Sequence, residues 1–347
     1  MTITVGGAGR HNRSDLYLYE PSRRDLARRV ARHHAPDVTT TTLEIAGRAD
    51  AAGARRVPTK VILSLGLVYS IWSSTYLALR WVVVALPPLL SAGARYCVAG
   101  AILYAVCRLR GARPPSRREW AEAVAPGVLL FACGNGFVAL AERDVPSGVA
   151  AVACAAMPLL LALLETLAGA RPSWRDGVGL GIGFLGVLVL GAGDLRRASF
   201  SGAILLLAPV GWALGTWLTR RRALARGALG ASTQMITGGL GCLALGGLRG
   251  EPLPSSVPLT AIAALVYLVV AGSLVAFSAY TYLLSATRPA IATSYAYVNP
   301  ILAVGLGVLL GGEHLGATAL SAAALVVLGV AVMATGRARS TPGGATR

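Results

Sequence analysis

Between residues 60 and 335 the chain alternates long apolar runs with short polar breaks, without the period-2 alternation of a membrane barrel strand. A helix crosses the bilayer core in about 20 apolar residues. By that measure the runs near 61–80, 88–107, 122–141, 148–167 and 176–192 predict five spans, and those near 201–219, 231–248, 259–283, 290–310 and 317–335 predict five more. Hydrocarbon offers no partner for a backbone N–H or C=O, so each run is predicted helical. The expected fold class is an all-α polytopic membrane protein of about ten transmembrane helices.

The two groups of five resemble each other. Residues 147–160 and 289–302 are both small-residue apolar runs interrupted by a proline at the same distance from their start, Pro158 and Pro300. Tyr69 to Tyr76, with Trp72, parallels Pro209 to Thr216, with Trp212, and Gly186-Val-Leu-Val parallels Gly329-Val-Ala-Val. An odd number of spans per copy makes the second copy enter the membrane from the opposite side. The reading is therefore two inverted five-helix repeats, 60–192 and 199–335, between an N-terminal extension of residues 1–58 and a tail of residues 336–347. Broken segments at corresponding places in two halves are a pointer to a transporter's central site.

Composition agrees, with 55% hydrophobic residues, 14% charged residues and 42 glycines. The net charge of +17 first brings nucleic acid to mind, yet the arginines sit in breaks between apolar runs and at the N-terminus. That distribution is membrane topology, and no nucleic-acid partner is expected. With the N-terminus cytoplasmic, the loops on that side hold Arg108, Arg110, Arg113, Arg117, Arg118, Arg171, Arg175, Arg220, Arg221, Arg222, Arg226 and Arg288, and the tail holds Arg337 and Arg339. The other side holds Arg143, Arg196, Arg197 and Arg249, with Arg80 at a span end, so both termini are expected in the cytoplasm. Residues 1–58 are basic and too poor in apolar residues to order themselves, and read as a disordered cytoplasmic extension without the layout of a signal peptide. The five cysteines have neither zinc-site nor disulfide spacing and read as packing residues.

Polar residues inside the spans carry the candidate chemistry, since each is costly in hydrocarbon unless it faces protein or water. Arg95, about 10 Å inside the second span at the helical rise, is either a clamp for a substrate carboxylate or a gate ion pair, or else half of a structural contact with Glu142 or a backbone carbonyl. Tyr69, Ser73, Tyr76 and Arg80 share one face of the first span, which predicts a cavity lining. Tyr295 and Asn299 share a face of the ninth; interhelical hydrogen bonding is the competing role for Asn299, and the favoured one for Thr293 and Ser294. Trp72 and Trp212 line the cavity from both repeats or simply pack, while Pro158 and Pro300 are candidate hinges or plain kinks. Glu142, Glu165 and Glu313 are the carboxylates available for proton coupling or a gate, with solvation as the alternative for each. Gln234 is expected to make a helix-packing hydrogen bond.

Enzyme chemistry has no foothold: the spans contain no HExxH, no paired aspartates and no serine or cysteine with an activating histidine, and no phosphate loop is present. No catalytic residue, metal or cofactor is expected. The motifs Ile71-Trp72-Ser73-Ser74-Thr75-Tyr76, Gly134-Asn135-Gly136, Ala141-Glu142 with Val145-Pro146-Ser147-Gly148, Ala292 to Pro300, and Gly312-Glu313 occur in this order over residues 60–335. Together they resemble the EamA branch of the drug/metabolite transporter superfamily, which usually has glycine where this chain has Ser73. The resemblance implies a ten-helix, multi-pass protein of the bacterial inner membrane that exports metabolites or drugs. The expected activity is secondary transport of amino acids, related metabolites or amphipathic drugs by alternating access, with protons as the candidate coupling ion. A facilitator or importer is the alternative within transport, and a membrane scaffold or enzyme the alternative outside it; the oligomeric state is open.

Overall fold

The computed structural model describes residues 58–169, 173–192, 199–287, 289–292 and 294–336. The expectations for the N-terminal extension before residue 58, the tail beyond 336, Arg171, Arg196, Arg197, Arg288 and Thr293 lie outside the described residues. Ten helical segments follow in order: α1 Thr59–Ala85, α2 Pro88–Leu109, α3 Arg117–Ala141, α4 Ser147–Leu167, α5 Trp174–Ala192, α6 Ser199–Thr219, α7 Ala228–Leu248, α8 Leu259–Ala286, α9 in two pieces (Pro289–Ala292 and Tyr295–Gly311), and α10 Ala317–Gly336. Seven of these are long and apolar enough to cross a membrane, and Val298–Gly311 and Ala317–Met333 are shorter apolar helices. Large apolar side chains such as Leu188, Leu207 and Leu309 lie exposed on the outside, as lipid-facing positions do.

Local chemistry sets the helix boundaries. Pro88 opens α2 at a position whose N–H has no helical partner in any case. Ser116 and Glu119 close a reciprocal capping box at the start of α3, tightened by the Arg113–Glu119 ion pair. At the end of α9, Gly312 takes a left-handed φ of 62°, and the Glu313 N–H returns to the Gly307 carbonyl at 2.9 Å.

Four helices are irregular inside the bundle. Helix α4 breaks at Ala155–Ala156, so that Pro158 stands in the first turn of its second half, Met157–Leu167. Pro300 instead sits within the continuous second piece of α9, several residues after that helix's own break. The paired prolines thus occupy different local geometries. Helices α3 and α8 each contain a wide-turned π segment, Val128–Gly136 and Leu268–Val275, which the apolar periodicity did not announce.

Packing relates the two groups of five helices. Corresponding helices meet directly, α2 against α7 and α5 against α10. The first helix of each group packs on the third and fourth of the other: α1 on α8 and α9, and α6 on α3 and α4. This reciprocal exchange is what an inverted two-fold arrangement produces. Around it lies a core that includes Val82, Val138, Leu190, Leu205 and Leu268.

Glycine permits the α5–α10 seam. A Cβ on Gly329 would stand 2.5 Å from the Gly183 nitrogen, a backbone atom that cannot step aside. Small residues at such crossings let dispersion hold membrane helices together where lipid removes the hydrophobic drive. Gly329→Val is expected to destabilise the fold by about 1–3 kcal/mol through overpacking. Gly181→Val, at a position with nothing within 4 Å, is expected to be close to neutral. Thermal unfolding of both variants in detergent checks this, and equal melting temperatures would contradict the seam.

Candidate functional site

The polar face of α1 runs along the boundary between the two halves. The Tyr69 hydroxyl lies 2.6 Å from Ser294 Oγ, and Ser73 Oγ donates to Asn299 Oδ1 at 3.2 Å, both on α9. Next along the face, Tyr76 lies against Cys154 of α4. Arg80 closes the row by donating to the backbone carbonyls of Glu142 and Val145, the latter at 3.0 Å. Ser73 is fully buried and Asn299 nearly so, hence their hydrogen bond replaces solvation that neither retains.

Beside this row sits an aromatic group. The Trp72 ring centroid is 4.8 Å from that of Tyr295 and 5.2 Å from that of Tyr280, and the two tyrosines are 5.6 Å apart edge to face. The Trp72 indole N–H donates to the Gly272 carbonyl at 3.2 Å, inside the π segment of α8. Trp212 of α6 is its counterpart: a Cβ on Gly134 would stand 2.3 Å from the Trp212 ring, inside the π segment of α3. Each half thus places the tryptophan of its first helix on a glycine in the third helix of the other half. The residue after each glycine secures the wide turn in the same way. Asn135 donates to the Leu130 carbonyl and Ser273 to the Leu268 carbonyl, both at 3.0 Å and five residues back.

Arg95 joins this site at Gly272. Its Nε donates to Ser273 Oγ at 3.0 Å, its guanidinium lies 4.8 Å from the Tyr96 ring centre, and the side chain is 8% exposed. A Cβ on Gly272 would stand 3.1 Å from Arg95 Nη2 and 3.0 Å from Thr75 Cγ2, so the glycine makes room for the guanidinium. Neither terminal nitrogen of Arg95 hydrogen-bonds to another described residue. Its partner is therefore Ser273, not the Glu142 carboxylate or a backbone carbonyl.

The three carboxylates have different surroundings. Glu313 accepts from the Ser147 and Gly148 N–H groups at 2.7 and 3.0 Å and so caps the start of α4. Glu165, at the other end of α4, pairs with Arg220 and Arg221 at 3.7 and 3.1 Å on a solvent-facing patch. Glu142, the residue immediately after α3, is completely buried, and neither carboxyl oxygen has a hydrogen-bond partner among the described residues. Burial, with the Glu313 carboxylate adding to it, holds the Glu142 pKa well above the ordinary carboxylate range, while Arg80 and Arg95 pull the other way.

The structure brings Trp72, Ser73, Tyr295 and Asn299 together with Arg95 around α1, α8 and α9. Tyr76 lies farther along the same face, and Trp212 is at the equivalent place on α3. Pro158 and Pro300 stay within their own helices, and Gln234 donates to Thr219 at 3.2 Å between α7 and α6. Ser273, Gly272 and Tyr280 escaped the sequence reading, which took Cys154 as a packing residue. The recurrence of glycine followed by a short polar residue, Gly134-Asn135 and Gly272-Ser273, was the available signal for the first two.

Comparison with known proteins agrees with this architecture. The EamA-like transporter family matches residues 59–192 and again 200–335. The chain is 38% identical over 276 residues to the uncharacterized inner membrane transporter YedA of Escherichia coli strain K12, covering 79% of this chain and 90% of YedA. It is 31% identical over 248 residues to protein PecM of Dickeya dadantii, covering 69% of this chain and 80% of PecM. A solved crystal structure at 22% identity superposes with a TM-score of 0.55 over 82% of this chain and 100% of the other, which speaks for the fold alone. The chain belongs to the EamA-like transporter family, within the drug/metabolite transporter superfamily, and is a multi-pass inner membrane protein.

The Glu313 cap is testable. Glu313→Ala is expected to cost about 0.5–2 kcal/mol in stability, the range for losing a helix cap, and Glu313→Gln less because one acceptor remains. Melting temperatures in detergent check the order; a neutral alanine variant would remove the cap's importance.

Proposed function

We propose that the chain is a secondary transporter that exports small metabolites, amino acids or related compounds, or amphipathic drugs, across the inner membrane by alternating access. The observation that carries this reading is Arg95, a guanidinium at 8% exposure held through Nε alone, with its terminal nitrogens unbonded to described protein groups. A charged residue within a membrane bundle marks a substrate or ion path by default, because it is costly without a partner. A free guanidinium fork fits a carboxylate bidentately. Across Gly272, the Trp72, Tyr280 and Tyr295 rings offer apolar surface with polar edges. A small amphipathic carboxylate, such as an amino acid with an apolar side chain, satisfies both.

Alternating access is supported by where these groups lie. Ser73–Asn299, Trp72–Gly272 and Arg95–Ser273 all cross from one repeat to the other, so movement of the halves would alter the site. Pro158 beside the α4 break and Pro300 within α9 are the positions we assign to bending. We read both termini as cytoplasmic from the crowding of arginine at the α2–α3 and α6–α7 connections, and we read the chain as non-enzymatic, with 60–192 and 199–335 as its working halves.

Counterflow of labelled amino acids and cationic dyes into vesicles holding the full chain is expected to be saturable. Arg95→Ala is expected to lower it about tenfold or more, matching the roughly 1.5–3 kcal/mol of a hydrogen bond to a charged group, and Asn299→Ala by a smaller factor, about two- to tenfold, matching the roughly 0.5–1.5 kcal/mol of a neutral one. An active parent with two fully active variants would discard the site, and a parent that moves none of the panel would discard the exporter reading.

A further inference from the structure

Glu142 is the described carboxylate whose two oxygens are both buried and unpartnered, and its neighbourhood explains what that implies. An ionised carboxylate in that condition is among the costliest arrangements a protein interior can hold. The cation that reaches this turn, Arg80 of α1, does not relieve it, because the guanidinium donates to the Glu142 and Val145 carbonyls. The other groups facing it are Tyr76 on α1, Arg95 on α2, Cys154 on α4 and Glu313 from the α9–α10 connection. Within the same turn, Asp144 is taken by the Ser201 hydroxyl of α6. Glu313 spends its charge on the first amides of α4, and Ser147 Oγ beside it also lacks a partner among the described residues.

Resting on the transporter reading above, we propose that Glu142 is the proton-binding carboxyl of this protein, protonated while the α3–α4 turn is packed as here and deprotonated when that face opens. Ionisation gives Glu142 a claim on Arg80, whose guanidinium already donates to the Glu142 carbonyl. To answer it, Arg80 must leave the carbonyls that hold residues 142–145, or water must enter the turn. Either event loosens the segment that leads into α4, whose start is capped by Glu313 from the other repeat. One proton is thereby tied to a contact between the halves, which is what coupling to a proton gradient requires. Glu165, paired with two arginines in a solvent-facing patch, and Glu313, committed to a cap, are less suited to that role.

The sign follows from burial. The packed turn binds one more proton than the opened one, so lower pH favours the packed arrangement, and between the two pKa values each pH unit shifts the ratio by up to about tenfold. The parent chain in vesicles is expected to exchange substrate with a pH-dependent rate and to accumulate it when a proton gradient is imposed. Glu142→Gln, a fixed mimic of the protonated form, is expected to lose gradient-driven accumulation and the pH dependence together. Independently of transport, infrared titration of the parent is expected to show a protonated carboxyl band at neutral pH that Glu142→Gln lacks. No such band in the parent overturns the proposal without any variant having to fold. A band with unchanged gradient-driven transport in Glu142→Gln overturns the coupling role while leaving transport intact. A parent that moves no substrate removes the transporter reading and this proposal with it.

Discussion

Hydrocarbon gives no hydrogen bond back, and the organisation of this bundle follows from that constraint. At three places where a helix starts or widens, a group from elsewhere in the fold answers the exposed backbone. Glu313 covers the first amides of α4, Glu251 covers those of α2 through the Leu89 and Leu90 N–H groups, and Trp72 takes the Gly272 carbonyl. In each case the two partners belong to different repeats. Each repeat therefore supplies partners for backbone groups of the other, so these ends and turns depend on both halves being correctly opposed.

The strengths of these contacts divide the bundle into firm and yielding parts. The α2–α7 and α5–α10 seams rest on backbone passing backbone at glycines, where Gly93 meets Gly239 and Gly183 meets Gly329. Such surfaces are hard to separate gradually, because dispersion is lost steeply with distance. The contacts of α1 with α9 are side-chain hydrogen bonds, each contributing about 1 kcal/mol or less between membrane helices. The Arg220, Arg221 and Arg222 pairs with Glu165 and Glu122 are solvent-facing and contribute little individually. The glycine seams are thus the firmer contacts between the halves, and the polar α1–α9 boundary the more yielding one.

Much of this was legible in the sequence. Apolar runs of bilayer length gave the ten helices to within a few residues, because length and hydropathy are local properties. The shared face of Tyr69, Ser73, Tyr76 and Arg80 followed from helical spacing, and all four point into the protein. Partners were another matter. That Arg95 meets Ser273 depends on how α2 crosses α8, which no spacing within either helix encodes. The π segments were hidden for a related reason: one added residue in a uniformly apolar run leaves hydropathy unchanged. Their markers, Asn135 and Ser273, read as ordinary polar residues until the carbonyls they reach are known.

Each wide turn stores a residue that a regular helix would not hold, and π segments of this kind are concentrated at functional positions. Removing one residue between Val128 and Gly136 would turn everything after it by about 100° around the α3 axis. Glu142 would swing away from Arg80, and the turn leading into α4 would lose its seat. The count of residues in that short segment therefore works as a phase setting, fixing which way the end of α3 faces.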